Sequence, residues 1–310
     1  MTDNACCALD GRGLIAFDGA DARTFLHSQL TCDVAGLSEE HSTYGAYCTP
    51  KGRALASFLL WPSAAGFLLQ LPQSVREPVQ KRLAMYILRS KVKASDATPA
   101  YAQYGVAGPD AAGRIERVLG TVPRGLHKIA RTERGMALAL PVGRYLLVVA
   151  REHAATAAEA LGAALPVQPE SWWDRLDIEA GVASVLPETQ EQLVPQMLNL
   201  DAVGGVSFTK GCYPGQEIVA RMRYLGRVKE RMFRARVPAS AVPHPGDRLY
   251  GTDLGAQAAG MIVNAAPAAT GEHEVLAVVQ LSSVAAGPVR LGPDGPPLVM
   301  ETLPYALPEK

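Results

Sequence analysis

The chain has 310 residues, enough for two or three domains with sizeable cores, and its 48% hydrophobic and 19% charged residues exclude wholesale disorder. Lysines plus arginines equal aspartates plus glutamates at 30 each, so no global field draws the chain onto nucleic acid or an acidic membrane. Five cysteines without C-x-x-C spacing, six scattered histidines and no basic-then-apolar opening stretch argue for free thiols in a reducing, cytoplasmic setting, and against structural zinc or a secretory signal.

Along the chain, Leu14–Phe17 predicts a short strand, and Asp21 is placed to cap a helix with apolar Ala22, Phe25, Leu26 and Leu30. Ala54 to Val75 carries no charge, but Pro62, Ser63 and Gly66 interrupt it; two strands, roughly Arg53–Trp61 and Gly66–Leu71, fit better than a membrane span. Ser74 and Glu77 have capping-box spacing ahead of a helix with Val75, Val79, Leu83 and Tyr86 on one face. Tyr145–Ala150 predicts a strand and the alanine-rich 152–165 a helix. Three prolines and a glycine between Pro238 and Gly246 predict a linker. Short β-like runs follow it, at Gly260–Val263 and Val275–Leu281, and predict a small all-β domain.

Two stretches carry chemistry. In Ser207–Met232, Gln216 to Leu225 predicts a helix with Ile218, Met222 and Leu225 on one face and Gly226 as its stop. Glu217 is spaced to pair with Arg221, while Arg221, Arg223 and Arg227 complement the helix dipole. Cys212 falls between glycine and the helix start, two residues after Lys210, a setting that favours a thiolate; a buried, inert cysteine is the alternative. Residues 206–236 hold eight Lys/Arg against two Asp/Glu, either a solvated face or a seat for an acidic ligand such as a glutamyl tail. In Trp172–Gly181, Trp173, Leu176 and Ala180 share a helical face. There Glu179 is a carboxylate able to grip a guanidine-like edge, or an ordinary ion-paired residue.

The run Lys210-Gly211-Cys212-Tyr213-Pro214-Gly215-Gln216-Glu217 resembles the K-G-C-[FY]-x-G-Q-E motif of the YgfZ family. Other stretches resemble the family's further landmarks, in order: Gly19-Ala20-Asp21, Cys48 to Arg53, Ile178 to Gly181, Pro195 to Leu200 and Leu303-Pro304-Tyr305. The resemblance implies an α+β fold like that of the glycine-cleavage T-protein, a multi-domain clover leaf around a central folate channel with a small C-terminal β-barrel. The expected division is 1–237, an aminomethyltransferase-like region of two intertwined subdomains, and 238–310, the barrel. It also implies tetrahydrofolate as ligand and a role with iron–sulfur assembly proteins or client enzymes, through which tRNA modification is affected. Glu179 would hold the pterin edge beside Trp173, with Gln216 and Arg221 among the binding residues and Cys212 and Lys210 as the reactive pair. Relatives can carry an aromatic near Arg12.

One departure is marked: where T-protein has an aspartate pair, this chain has Ala56 and Ser57, neither able to act as a carboxylate base. Glycine-cleavage chemistry is therefore not expected, and an aminomethyltransferase or related one-carbon enzyme is the second reading. A third, a tRNA-binding module using 206–236, is disfavoured by zero net charge.

Overall fold

The computed structural model describes residues 4–224, 228–268 and 270–308. They fall into two compact units that exchange the chain several times. The first takes residues up to 26, 34–43 and 59–173; the second takes 27–33, 44–58 and 174 onward.

The first unit contains an antiparallel sheet in the order Ala5–Ala8, Tyr101–Ala107, Arg144–Ala150, Gly135–Leu140, Ile129–Thr132. The predicted strand at 145–150 is its centre, paired on both sides, with Leu147 opposite Tyr104 and Ala137. An apolar, β-branched run suits that place because both of its faces are covered. Helices Ala111–Leu119 and Ala154–Gly162 close the core through Ile115, Leu119, Ala157 and Leu161, packed on Val106, Leu147 and Val149. The second of these lies inside the span predicted for it.

Also in this unit, Arg12–Asp18 pairs with both Gly66–Pro72 and Lys93–Asp96. Gly66–Pro72 forms the predicted hairpin with the Leu59–Ser63 end of strand Ala54–Ser63, through a connection of only Ala64 and Ala65. A Cβ on Gly66 would meet the Phe17 carbonyl oxygen at 2.0 Å, which explains the glycine. Among the described residues no helix is long and apolar enough to cross a membrane.

One expected cap is not formed. Helix Gln73–Ala84 starts one residue before Ser74, with Pro72 at its N-cap and no side-chain cap, and Glu77 pairs with Lys81 at 2.6 Å instead. Proline's fixed φ sets the helix entry there and moves Ser74 inside the first turn. Val75, Val79 and Leu83 are buried as predicted, but the helix ends at Ala84 and leaves Tyr86 exposed. Asp21 directly precedes helix Ala22–Gln29 as predicted, and its carboxylate accepts from the backbone N–H of Lys91 at 2.7 Å.

The second unit holds a six-stranded antiparallel sheet, curled into a half-barrel, in the order Arg290–Leu291, Arg248–Tyr250, Gly260–Pro267, His273–Gln280, Glu230–Val237, Val299–Glu301. Its core is Ala235, Val237, Leu249, Ile262, Val275, Ala277 and Val279. The strand Glu230–Val237 precedes the proline-rich 238–246, so that segment is a connection within this unit. The compact units thus cut the chain at other places than 237/238.

Candidate functional site

The Ser207–Tyr224 segment is stitched to residues 27–33 of the same unit. The Thr31 hydroxyl donates to the Gly205 carbonyl at 2.6 Å, and the Ser207 N–H donates to the Thr31 carbonyl at 2.9 Å. The Lys210 ammonium donates to three backbone carbonyls, those of His27, of Leu30 at 2.6 Å and of Cys32 at 3.0 Å, and lies 5.0 Å from the Tyr213 ring centre. These carbonyls lie at and beyond the end of helix Ala22–Gln29, where backbone acceptors lack intrahelical partners. A cation there does the work of a C-terminal cap. Burial lowers the Lys210 pKa to about 8, which leaves it mostly charged at neutral pH.

Gly215, at φ +81°, allows the next contact. A Cβ on it would lie 2.5 Å from the Thr49 carbonyl oxygen and 2.6 Å from the Gly52 Cα, so the Cys48–Arg53 turn seats backbone against backbone on Pro214-Gly215. Tyr213 is buried, and its backbone N–H donates to the Gln216 side-chain oxygen at 3.3 Å. Burial also raises the Tyr213 phenol pKa. Helix Gln216–Tyr224 follows as predicted, but Val219 is its buried residue, not Ile218, which is exposed. The Val219 carbonyl accepts from the Gln196 amide at 2.6 Å, and this tie sets the helix rotation. Leu225, Gly226 and Arg227 lie outside the described residues.

What this scaffold leaves at the surface is Cys212. It is exposed, whereas Cys6, Cys7, Cys32 and Cys48 are buried. Burial pushes the Cys32 and Cys48 thiols up to about 12, so they stay protonated and inert. The His27 imidazole faces the same loop: its Nε2 is 3.8 Å from where a Gly211 Cβ would sit, and its Nδ1 is 3.3 Å from an Asp33 carboxylate oxygen. Lys210, expected beside the thiol, is committed to its carbonyls.

In the basic run 206–236 four described cations, Lys210, Arg231, Arg234 and Arg236, are tied down, while Arg223 and Lys229 stay exposed. Arg231 grips Asp201 through two nitrogens at 2.6 and 3.0 Å, and Arg236 reaches Glu301 at 2.7 Å and Glu272 at 3.0 Å. Arg223 covers the Phe208 ring at 4.4 Å. Arg221 and Glu217 are exposed.

Glu179 ends helix Glu170–Glu179, and its carboxylate accepts from the Arg175 guanidinium one turn earlier. Arg175 Nη1 is 4.0 Å from Glu274 Oε1, while Glu274 Oε2 accepts from Arg234 at 2.9 and 3.2 Å. The i,i+4 spacing of Arg175 and Glu179 is a signal the sequence reading passed over. Glu274, far downstream in a strand, carries no such signal. Trp173, earlier on that helix, is buried in the first unit. A Cβ on Gly105 would meet its ring at 2.3 Å, and the Arg144 guanidinium covers it at 5.0 Å. Arg12 is buried too, 3.7 Å from Glu170. Among the described residues no group of three or more His, Cys, Asp or Glu could hold a metal ion.

No family model matches the chain. It is 31% identical over 307 residues to a "tRNA-modifying protein YgfZ" of Yersinia pestis (strain Pestoides F), covering 97% of this chain and 92% of that protein. The protein of the same name from Yersinia pseudotuberculosis serotype O:1b (strain IP 31758) matches equally, at 31% over the same lengths. The chain belongs to the YgfZ family. Among solved structures, glycine cleavage system aminomethyltransferase T from Bartonella henselae shares its fold, with a TM-score of 0.74 over 98% of this chain and 87% of that one. At 13% identity the likeness concerns fold alone.

Asn199 and Tyr305, both in stretches that carry the family resemblance, take structural posts. Asn199, at φ +56°, donates its amide to the Met232 carbonyl at 2.8 Å and accepts the Met232 N–H at 3.4 Å. The Tyr305 hydroxyl donates to the Gly181 carbonyl at 2.8 Å, and its ring fills the space where a Gly181 Cβ would sit. Ala56 is fully buried, and the Ser57 hydroxyl donates to the Ala183 carbonyl at 2.7 Å and accepts the Val185 N–H at 2.9 Å.

Proposed function

We propose that this YgfZ protein is a tetrahydrofolate-binding accessory protein that serves iron–sulfur enzymes in the cytoplasm and, through them, tRNA modification. The observation that carries the reading is the occupant of Glu179. A carboxylate already accepting from a guanidinium fits the donor set of a pterin, whose amino edge presents the same kind of neighbouring N–H groups. When bound, tetrahydrofolate supplies a carrier for a one-carbon unit. Glu179 orients the pterin in this reading. Trp173, covered by Arg144, supports the helix that carries Glu179 rather than stacking on the ligand. Arg221, exposed, is the cation offered to an acidic glutamyl tail, and Gln216 holds the motif loop in shape. Cys212 is the accessible thiol for exchange with an assembly protein or client enzyme, and Lys210 positions it.

The name of the Yersinia relatives supports the tRNA-modification part, and the family resemblance supports the iron–sulfur part. Aminomethyl transfer lacks a base here, since Ala56 and Ser57 supply no carboxylate and the Ser57 hydroxyl is engaged by residues 183 and 185.

Calorimetric titration of tetrahydrofolate under reducing conditions tests the reading. Glu179→Gln turns one acceptor into a donor facing the pterin's own donors. Losing a charge-assisted hydrogen bond costs about 1.5–3 kcal/mol, so affinity should weaken roughly tenfold to hundredfold. Equal affinities for wild type and variant would remove Glu179 from the site.

A further inference from the structure

A ligand edge that takes both oxygens of Glu179 competes with a cation, because Oε1 already accepts from Arg175. The pair is secluded, with side chains 19% and 17% exposed, and an expelled guanidinium left there without a carboxylate would be costly. A second carboxylate is at hand. Glu274 Oε1 lies 4.0 Å from Arg175 Nη1, and Glu274 is anchored from its other side by Arg234, which donates through Nε and Nη2 to Oε2. Glu179, Arg175, Glu274 and Arg234 therefore form a row of alternating sign whose charges cancel.

We infer that Arg175 is a displaceable guard on Glu179, and that Glu274 receives it when the amino edge of a pterin takes its place. The inference rests on the pterin role proposed above for Glu179. The transfer closes a gap of about an ångström by side-chain rotation, since 4.0 Å is already at the outer edge of an ion pair. It changes no net charge: a neutral edge replaces a cation at Glu179, and the cation moves one place along the row. It also makes Arg175 a specificity residue. A ligand without neighbouring N–H donors cannot satisfy Glu179 and so cannot compensate the expulsion.

The test is a double-mutant cycle read by titration of tetrahydrofolate at pH 8, with melting measured for every variant. Arg175→Met keeps the aliphatic stem and removes the competitor, so tetrahydrofolate should bind about tenfold tighter. Glu274→Gln removes the receiver and should weaken binding about tenfold in the wild-type background. In the Arg175→Met background the same Glu274→Gln change should have no effect, because no cation has to be received. Additive effects, or an Arg175→Met variant that binds no tighter than wild type, would overturn the guard. If Glu274→Gln loses its fold through Arg234, Arg175→Met alone decides by the direction of its effect. The two readings fail separately. Affinity indifferent to Glu179→Gln sinks the pterin role, whereas a Glu179-dependent affinity with an additive cycle sinks only the guard.

Discussion

The motif loop 210–217 and the charged row around Glu179 belong to the same compact unit but are built in opposite ways. The loop is contiguous and conspicuous in sequence, yet most of its residues hold backbone: Lys210 gathers three carbonyls, Gly215 admits the Cys48–Arg53 turn, and Gln216 fastens Tyr213. Cys212 is presented outward without such a task. The row is assembled from a helix and two strands, leaves almost no mark in the sequence, and consists wholly of side chains with reactive or recognisable charge. A long motif can thus record the difficulty of holding one atom in place, while the recognising groups come from scattered positions.

Substitutions within the loop can break this contrast. The largest effect should come from Gly215→Ala, which forces a Cβ to within 2.5 Å of the Thr49 carbonyl at a left-handed φ. Overpacking and backbone strain together should cost roughly 3 kcal/mol, read as a lower urea midpoint at unchanged slope. A variant as stable as wild type would mean that the turn does not seat there.

Lys210→Met comes next. It removes the shared donor from carbonyls that burial keeps from water, and should cost about 2 kcal/mol in the same measurement. Loss of Cys212 function with no loss of stability would instead assign Lys210 to chemistry.

The smallest effect, and the sharpest contrast, is expected for Cys212→Ser. An exposed thiol offers little packing to lose, so stability should change by about 0.5 kcal/mol or less. Rescue of an iron–sulfur enzyme in cells lacking the native protein should fail all the same. Full rescue, or a much lower melting temperature, would make Cys212 one more structural residue of its loop.

Much of the fold was legible because it rests on local periodicity. The 145–150 strand, the 54–71 hairpin and the helix at 216–224 all follow from runs of apolar residues and the turns between them. The helix rotation at Ile218 was not legible, because a buried bond from Gln196 to the Val219 carbonyl decides which side faces in. The capping box at Ser74 matched its pattern, but Pro72 begins the helix first. Glu179 could be read as a carboxylate for a guanidine-like edge or as an ion-paired residue, and it is ion-paired with Arg175. The receiver Glu274 could not be found, since only the fold brings residues 175 and 274 together. Intertwined units were expected from the family resemblance alone, because no composition change marks a chain that leaves a unit and returns.

The Lys210 anchor has a consequence for how the chain matures. Its three acceptors lie 178 to 183 residues earlier in the sequence, among the first parts of the protein to be synthesised. Closing so long a loop is entropically slow. Until residue 210 has been synthesised, the His27, Leu30 and Cys32 carbonyls lack this donor. The thiol loop and the segment it fastens therefore mature together, late, so a chain whose synthesis stops short of residue 210 never offers a half-built reactive site to the cell.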